Sequence, residues 1–251
     1  MDIITLASGS DGNCTVIRSK GTTVLVDVGI SCLRTTNFLK EAGISPEEIA
    51  AIFVTHEHSD HISGIPRFSK KYNIPVAAIK DLWTGNLSIV SEELRINLKR
   101  RMRINDIEIE SFETAHDTVY PVGFVFFDGK EKVGVATDTG YVTTAMAESL
   151  VELKALVIEA NHDVHMLRSG DYPRFLKERI LSKHGHLSNN DCGEFLARTA
   201  QKGTKIILAH LSKDNNSPSM ALKTVKTKFA DKGKDSSCNI YVAPRLAVAE
   251  Y

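Results

Sequence analysis

Residues 50–61 read Ala50-Ala51-Ile52-Phe53-Val54-Thr55-His56-Glu57-His58-Ser59-Asp60-His61, an apolar run that empties directly into a cluster of imidazoles and carboxylates. A short, continuous apolar stretch closed by polar residues reads as a buried strand. In extended backbone, residues two apart face the same side, so His56 and His58 can grip one ion. The turn that follows swings Asp60 and His61 toward another. Three histidines within six positions, drawn from nine in a 251-residue chain, are too many for a polar helix start with chance histidines. Imidazoles and carboxylates without a thiolate suit Zn²⁺ or Mn²⁺ and also admit Fe.

Outward from this stretch, the chain alternates short strands with helices. Upstream, IITLA, CTVIRS and TTVLVDVG are apolar runs separated by Gly-rich breaks, the pattern of strands joined by tight turns. A helix is expected over 31–42 with Gly43 as its stop, and Ser45-Pro46-Glu47-Glu48 has the form of an N-cap with a capping-box acid. Downstream, a helix over 64–72, a strand at PVAAI and a helical stretch over 81–103 are expected. IEIESF, GFVFF and KVGVAT then read as strands, with Asp128-Gly129 as a hairpin turn. LKALVIEA, TKIILAH and CNIYVAP are strands of the last third. Helices are expected over 144–152, 173–183, 188–201 and 219–230, with Ser188 and Asp191 as a capping pair. No repeat, low-complexity tract or linker interrupts the pattern, so one layered α/β domain spanning 1–251 is expected.

The six-residue cluster resembles that of the metallo-β-lactamase-fold hydrolases, and further likenesses follow in order along the chain. They are Asp27 in LVDVG, His116 in ETAHD, Asp138 in ATDTG and His210 in IILAHLS, each after a predicted strand. The resemblance implies an αββα sandwich of four layers. It implies two divalent ions, one held by His56, His58 and His116, the other by Asp60, His61 and His210, with Asp138 between them and Asp27 supporting the loop. Taken singly, His116 or His210 reads more readily as a hydrogen-bonded structural histidine.

Three later segments resemble those of RNase Z and related phosphodiesterases: EANHD at 159–163, GHLSNND at 185–191 and LAHLS around His210. The run EANHD, MLRSGDYPRFLKERI and GHLSN, with LASGSDGNC near the start, is closer still to the YycJ/WalJ (VicX) group. Asp11 and Ala160 stand where that group usually has serine. By this likeness His186, rather than His184, protonates the leaving oxygen, and Glu159 orients it or raises its pKa. Asp60 both binds metal and orients the attacking hydroxide, and the loop carrying Ser10 and Asn13 faces substrate.

Thirty-one basic and thirty-one acidic residues give zero formal charge, so a polyanion must be met by a local patch. The run Arg95, Lys99, Arg100, Arg101 and Arg103 contains no acid and reads either as a seat for a nucleic-acid backbone or as a solvated helix face. Only 72 residues separate Asp138 from His210, already filled by predicted elements, so a β-CASP insertion does not fit. The resemblance implies a dinuclear phosphodiesterase on nucleic acid, most closely a 5′ to 3′ exonuclease on double-stranded DNA in which a metal-bridging hydroxide attacks phosphorus. Hydrolysis of a small thioester, lactone or phosphodiester, and a non-catalytic regulatory domain, are the alternatives. No signal peptide or membrane-spanning apolar run is visible, and Cys14, Cys32, Cys192 and Cys238 lack redox or zinc spacing. Reduced, mostly buried thiols in a cytoplasmic protein are expected, with the oligomeric state left open.

Overall fold

The computed structural model describes residues 1–234 and 239–251. Cys238, read above as a thiol and as the start of the last strand, lies outside the described residues. The strands of the first half are β1 (Asp2–Ala7), β2 (Cys14–Arg18), β3 (Thr23–Val26), β4 (Ile49–Phe53), β5 (Val76–Ala78), β6 (Arg95–Asn97) and β7 (Arg101–Ile104). Those that follow are β8 (Ile107–Glu113), β9 (Val122–Phe127), β10 (Lys132–Ala136), β11 (Ala155–Glu159), β12 (Lys205–Ala209), β13 (Asn239–Val242) and β14 (Ala249–Glu250). They form two sheets, ordered β14-β1-β2-β3-β4-β5-β6 and β13-β12-β11-β10-β9-β8-β7. Each sheet is antiparallel at one end and parallel at the other: β3 through β6 run parallel in the first, β10 through β13 in the second.

Alternation along each strand builds the layers, because successive side chains point to opposite faces. Val24, Val26, Ala51 and Phe53 of the first sheet meet Phe124, Phe126, Val135, Val157 and Ile207 of the second in a core between the sheets. Phe53 sits edge-on to Phe124 and Phe126, with ring centroids 5.5 and 5.8 Å away. The intervening residues Leu25 and Ile52 face outward into a second core with Leu39 and Phe68. Those two belong to helices α1 (Cys32–Glu41) and, after the short α2 (Ser59–Ile62), α3 (Ile65–Tyr72). Ile158, Ile206 and Leu208 face outward on the other side, against Met146, Leu196 and Val225. These lie on α4 (Thr144–Ser149), α7 (Asn189–Thr199) and α8 (Pro218–Asp231); α5 (Val164–Ser169) and α6 (Arg174–Ile180) intervene in the chain. The result is helices, sheet, sheet and helices, the expected αββα order.

Of the expected caps, Ser188 is in use and Ser45 is not: Pro46–Glu48 is a single 3₁₀ turn, and the Ser45 hydroxyl donates to the Glu47 carboxylate instead of accepting from a backbone amide. Ser31 Oγ accepts from Arg34 N at the start of α1, and Ser188 Oγ accepts from Asp191 N while donating to its carboxylate. The expected helix over 81–103 does not form. Lys80–Thr84 and Glu92–Leu94 are single 3₁₀ turns, and the chain then enters β6 and β7. Its apolar positions Ile96, Leu98, Met102 and Ile104 all pack against the core between the sheets. That spacing has a period of two and suits a strand, not a helix. Among the described residues no helix is long and apolar enough to cross a membrane.

Candidate metal centre

The candidate ligands sit where strands end. After β4 the chain passes through Val54 and Thr55 into His56 and His58, and α2 then carries Asp60 and His61. Asp27, Asp138 and His210 follow β3, β10 and β12, and all three adopt left-handed backbone, with φ of 59°, 58° and 55°. Such a conformation costs a non-glycine residue about 1–3 kcal/mol and persists only where its surroundings over-determine it. Those surroundings are visible. Asp27 accepts from Thr55 N (2.9 Å) and Thr55 Oγ1 (2.7 Å), and His210 N donates to Ser8 Oγ (2.8 Å). The hexad loop itself presses against Gly29, where a Cβ would lie 1.6 Å from the Asp60 carbonyl oxygen.

Ligand-type atoms converge in overlapping groups, each within 4.8 Å: His56, His58 and His116; Asp60, His61 and His210; His56, His61 and Asp138; and Asp138, Glu159, His186 and His210. In most of these rings one nitrogen is already spoken for. His61 Nδ1 donates to Asp27 Oδ2 (2.7 Å), His116 Nδ1 to Gly185 O (2.9 Å) and His210 Nδ1 to Glu159 Oε1 (2.9 Å), while His56 Nδ1 meets Thr55 Oγ1 (3.0 Å). Bonds of this kind fix the tautomer of a metal-binding histidine and leave Nε2 for the ion. His56 Nε2, His210 Nε2 and Asp138 Oδ2 are buried without a hydrogen-bond partner. Asp138 Oδ2 lies 3.1 Å from His61 Nε2, but not in hydrogen-bond geometry. Buried lone pairs left unbonded are costly. Here three of them share one small volume, so the donor set fits a divalent metal ion.

Electrostatics point the same way. Burial works against charge at His61, but Asp138 and Asp27 outweigh it and push the imidazole up to about 10. His210 is likewise held well above its ordinary value by Asp138, Asp60 and Glu159 against its burial. Despite burial, Asp138 stays ionised well below the ordinary carboxylate range because His210 and His61 face it. His56 is driven well below its usual value by burial and by the neighbouring His61 ring, so its lone pair is free at neutral pH. The carboxylates thus recruit cationic charge to the cluster, and a divalent ion competes with protons for it.

His186 and Glu159 form a dyad at the edge of the cluster. His186 Nδ1 donates to Glu159 Oε1 at 2.7 Å, while Thr139 N and Leu187 N donate to Oε2. Burial opposes its charge, but the facing His186, together with the hydrogen bonds from His186 and His210, brings Glu159 down to about 2. His186 lines a cavity of about 340 Å³ together with Ser10, His58, Asp60, Asp138 and His210; His184 lines a different one. The segments around 161 and 187 run together for a physical reason: Asn161 N donates to Leu187 O and Asn189 N to His162 O. His162 is buried beside the cluster with neither ring nitrogen hydrogen-bonded, and burial lowers it to about 4.

Other expected substrate residues are differently placed. Asn13 is buried at the metal cluster itself: its amide is bonded to Gly9 in its own loop and reaches across to the Asp60 carbonyl and carboxylate and, at 3.0 Å, to His61 Nε2, so it braces the ligands and does not face substrate. Arg95, Lys99, Arg100, Arg101 and Arg103 do not line the metal cavity. Arg95 donates to Val90 O and Ser88 O. Lys99, Arg100 and Arg101 border a separate cleft of about 920 Å³ together with Glu110, Glu113 and Glu148. The β7–β8 register sets Arg101 opposite Glu110 and Arg103 opposite Glu108. The acid missing from the run in sequence is therefore supplied by the next strand. Asp11, the substitution noted in the first loop, is paired with Arg245. Tyr172, Leu176 and Arg179 line the metal cavity and carried no assignment from sequence. The only signal was that they fall within MLRSGDYPRFLKERI.

Residues 7–152 match the family described as the metallo-beta-lactamase superfamily. A protein of Bacillus anthracis named exodeoxyribonuclease YycJ is 38% identical over 91% of this chain and 89% of its own length. The Streptococcus pneumoniae protein named exodeoxyribonuclease WalJ is 40% identical over 90% and 87%. The chain belongs to the metallo-beta-lactamase superfamily, in its YycJ/WalJ branch. The crystal structure of the metallo-beta-lactamase fold protein YhfI from Bacillus subtilis superimposes with a TM-score of 0.76 at 18% identity, covering 100% of this chain and 98% of that one. The fold is thus shared well beyond recognisable sequence likeness. Fold, relatives and the buried His/Asp clusters together make this superfamily member a metal-dependent hydrolase.

Proposed function

We propose that this hydrolase is a dinuclear phosphodiesterase acting on nucleic acid, and specifically a 5′ to 3′ exonuclease on double-stranded DNA. One observation carries the reading: two His/Asp clusters joined through Asp138, with the His186–Glu159 dyad opening onto the same cavity. The exodeoxyribonuclease names of the B. anthracis and S. pneumoniae relatives support it. In this reading His56, His58 and His116 hold one ion, Asp60, His61 and His210 the other, and Asp138 serves both. Two divalent ions, Zn²⁺ or Mn²⁺ or Fe, would neutralise phosphoryl charge and supply a nucleophile from water at neutral pH. Asp60 accepts a hydrogen bond from the attacking water and so aims it. Glu159 holds His186 by Nδ1, and the opposite nitrogen gives its proton to the departing sugar oxygen as the P–O bond breaks. Thr139 N and Leu187 N keep Glu159 from turning away. The machinery belongs to one domain spanning 1–251, in a cytoplasm where the buried thiols of Cys14, Cys32 and Cys192 stay reduced.

The test is a time course on 5′-labelled duplex DNA with Mn²⁺, run beside the Asp138→Ala variant. Short labelled products released by the wild type alone support the reading. Intact duplex, with ions measured in the protein, would overturn it in favour of small phosphodiesters or thioesters.

A further inference from the structure

Two carboxylates, Asp60 and Asp138, line the cavity at the metal centre, and a fixed cation besides the ions would help offset their repulsion of a phosphodiester. The basic run on β6 and β7 does not supply one. Among the described residues, the one lysine or arginine lining the cavity is Arg179, near the C-terminal end of α6. Its Nε donates to Asp117 Oδ2 at 2.6 Å. The other oxygen of Asp117 lies 3.4 Å from His116 Nε2 and 3.9 Å from His58 Nε2. The guanidinium is thereby tethered to the loop that carries His116. No described residue hydrogen-bonds to the two terminal nitrogens of Arg179, and half of the side chain is exposed.

The other cations of α6 are differently employed. Arg174 pairs with Glu178 one turn away, and Lys177 donates to the carbonyls of Arg168 and Gly170. Arg179 alone combines an anchored Nε with an unused fork at the cavity. A guanidinium held in this way offers two parallel N–H groups of the geometry that phosphate oxygens accept, and its ordering cost is already met by the tether.

We propose that Arg179 grips the non-bridging oxygens of the phosphodiester being cleaved, with Asp117 as the positioning residue that sets its fork. This deepens the phosphodiesterase reading and rests on it for the identity of the substrate. The experiment compares Mn²⁺-loaded wild type, Arg179→Ala and Arg179→Gln, the last keeping a donor for Asp117. Binding of thymidine 5′-monophosphate is measured by calorimetry, metal content by mass spectrometry, and kcat/KM on duplex DNA in parallel. Losing a charge-assisted bidentate contact should weaken nucleotide binding by about 10- to 100-fold. The same factor should appear in kcat/KM, with metal content and melting temperature unchanged. If Arg179→Ala unfolds or loses metal, Arg179→Gln decides.

Nucleotide affinity equal to wild type in a folded, metal-loaded variant overturns the proposal. A wild type that digests DNA beside an equally active Arg179→Gln removes Arg179 and leaves the nuclease reading in place. A wild type that leaves DNA intact but binds the nucleotide through Arg179 does the reverse.

Discussion

The two sheets supply the centre in opposite ways. The first delivers His56, His58, Asp60 and His61 from one loop, braced by its own backbone. Val28 N donates to His61 O, Asn13 N donates to Asp60 O, and Gly29 leaves room for the crossing. The second delivers one side chain per strand end: His116 after β8, Asp138 after β10, Glu159 at the end of β11 and His210 after β12. These are braced by each other, chiefly through Glu159, which binds His186, His210, Thr139 N and Leu187 N. A contiguous ligand set is secured by local sterics, whereas a dispersed one needs a shared polar hub.

The largest expected effect comes where the halves meet. Asp138→Ala removes the carboxylate common to both clusters, and turnover on duplex DNA should fall by at least ~1,000-fold with reduced metal content. Activity within tenfold of wild type would break the picture of two joined halves. Gly29→Ala probes the first half alone. Its methyl group would meet the Asp60 carbonyl, and chemical denaturation should register a loss of about 3 kcal/mol. A neutral result would mean that the loop is not sterically secured. Glu159→Gln probes the second half. Its amide cannot accept from both loops, so kcat should drop about 100-fold while the Thr139 and Leu187 amides exchange faster with deuterium. Unchanged exchange at both amides would deny Glu159 its bracing role.

Two smaller effects sharpen the contrast. His162, buried beside the hub, has its folded-state pKa lowered to about 4 from an ordinary 6.5. Stability it does not compromise above pH 6.5 is lost as pH falls toward 4, because the unfolded chain takes up the proton first. The denaturant midpoint of wild type should therefore fall more steeply across that window than that of His162→Gln, and parallel curves would count against it. Smallest of all, Arg103→Gln on exposed β7 should change stability by no more than ~0.5 kcal/mol and leave DNA turnover intact. A marked loss of turnover would return the basic run to the substrate path.

The same contrast explains what the sequence discloses. The hexad is legible because its chemistry is local: six residues and a preceding apolar strand suffice. His116, Asp138 and His210 are single residues whose convergence depends on topology, so likeness to a family, not spacing, singles them out. The charges of the run from Arg95 to Arg103 suit a helix face, whereas the two-residue period of Ile96, Leu98, Met102 and Ile104 suits the strands that form. The pairing of Arg101 with Glu110 and of Arg103 with Glu108 follows from strand register, which the run alone does not state. No local pattern marks Arg179, because its tether, Asp117, lies 62 residues away in the chain.

The bond from His210 N to Ser8 Oγ and the pairing of Arg245 with Asp11 bring together residues more than two hundred positions apart. A chain still emerging from the ribosome displays the hexad long before His210 exists. During synthesis it carries half a cage, able to touch an ion but without the second set of ligands or the neutralised first loop. Chemical competence therefore arrives with the strands that are made last.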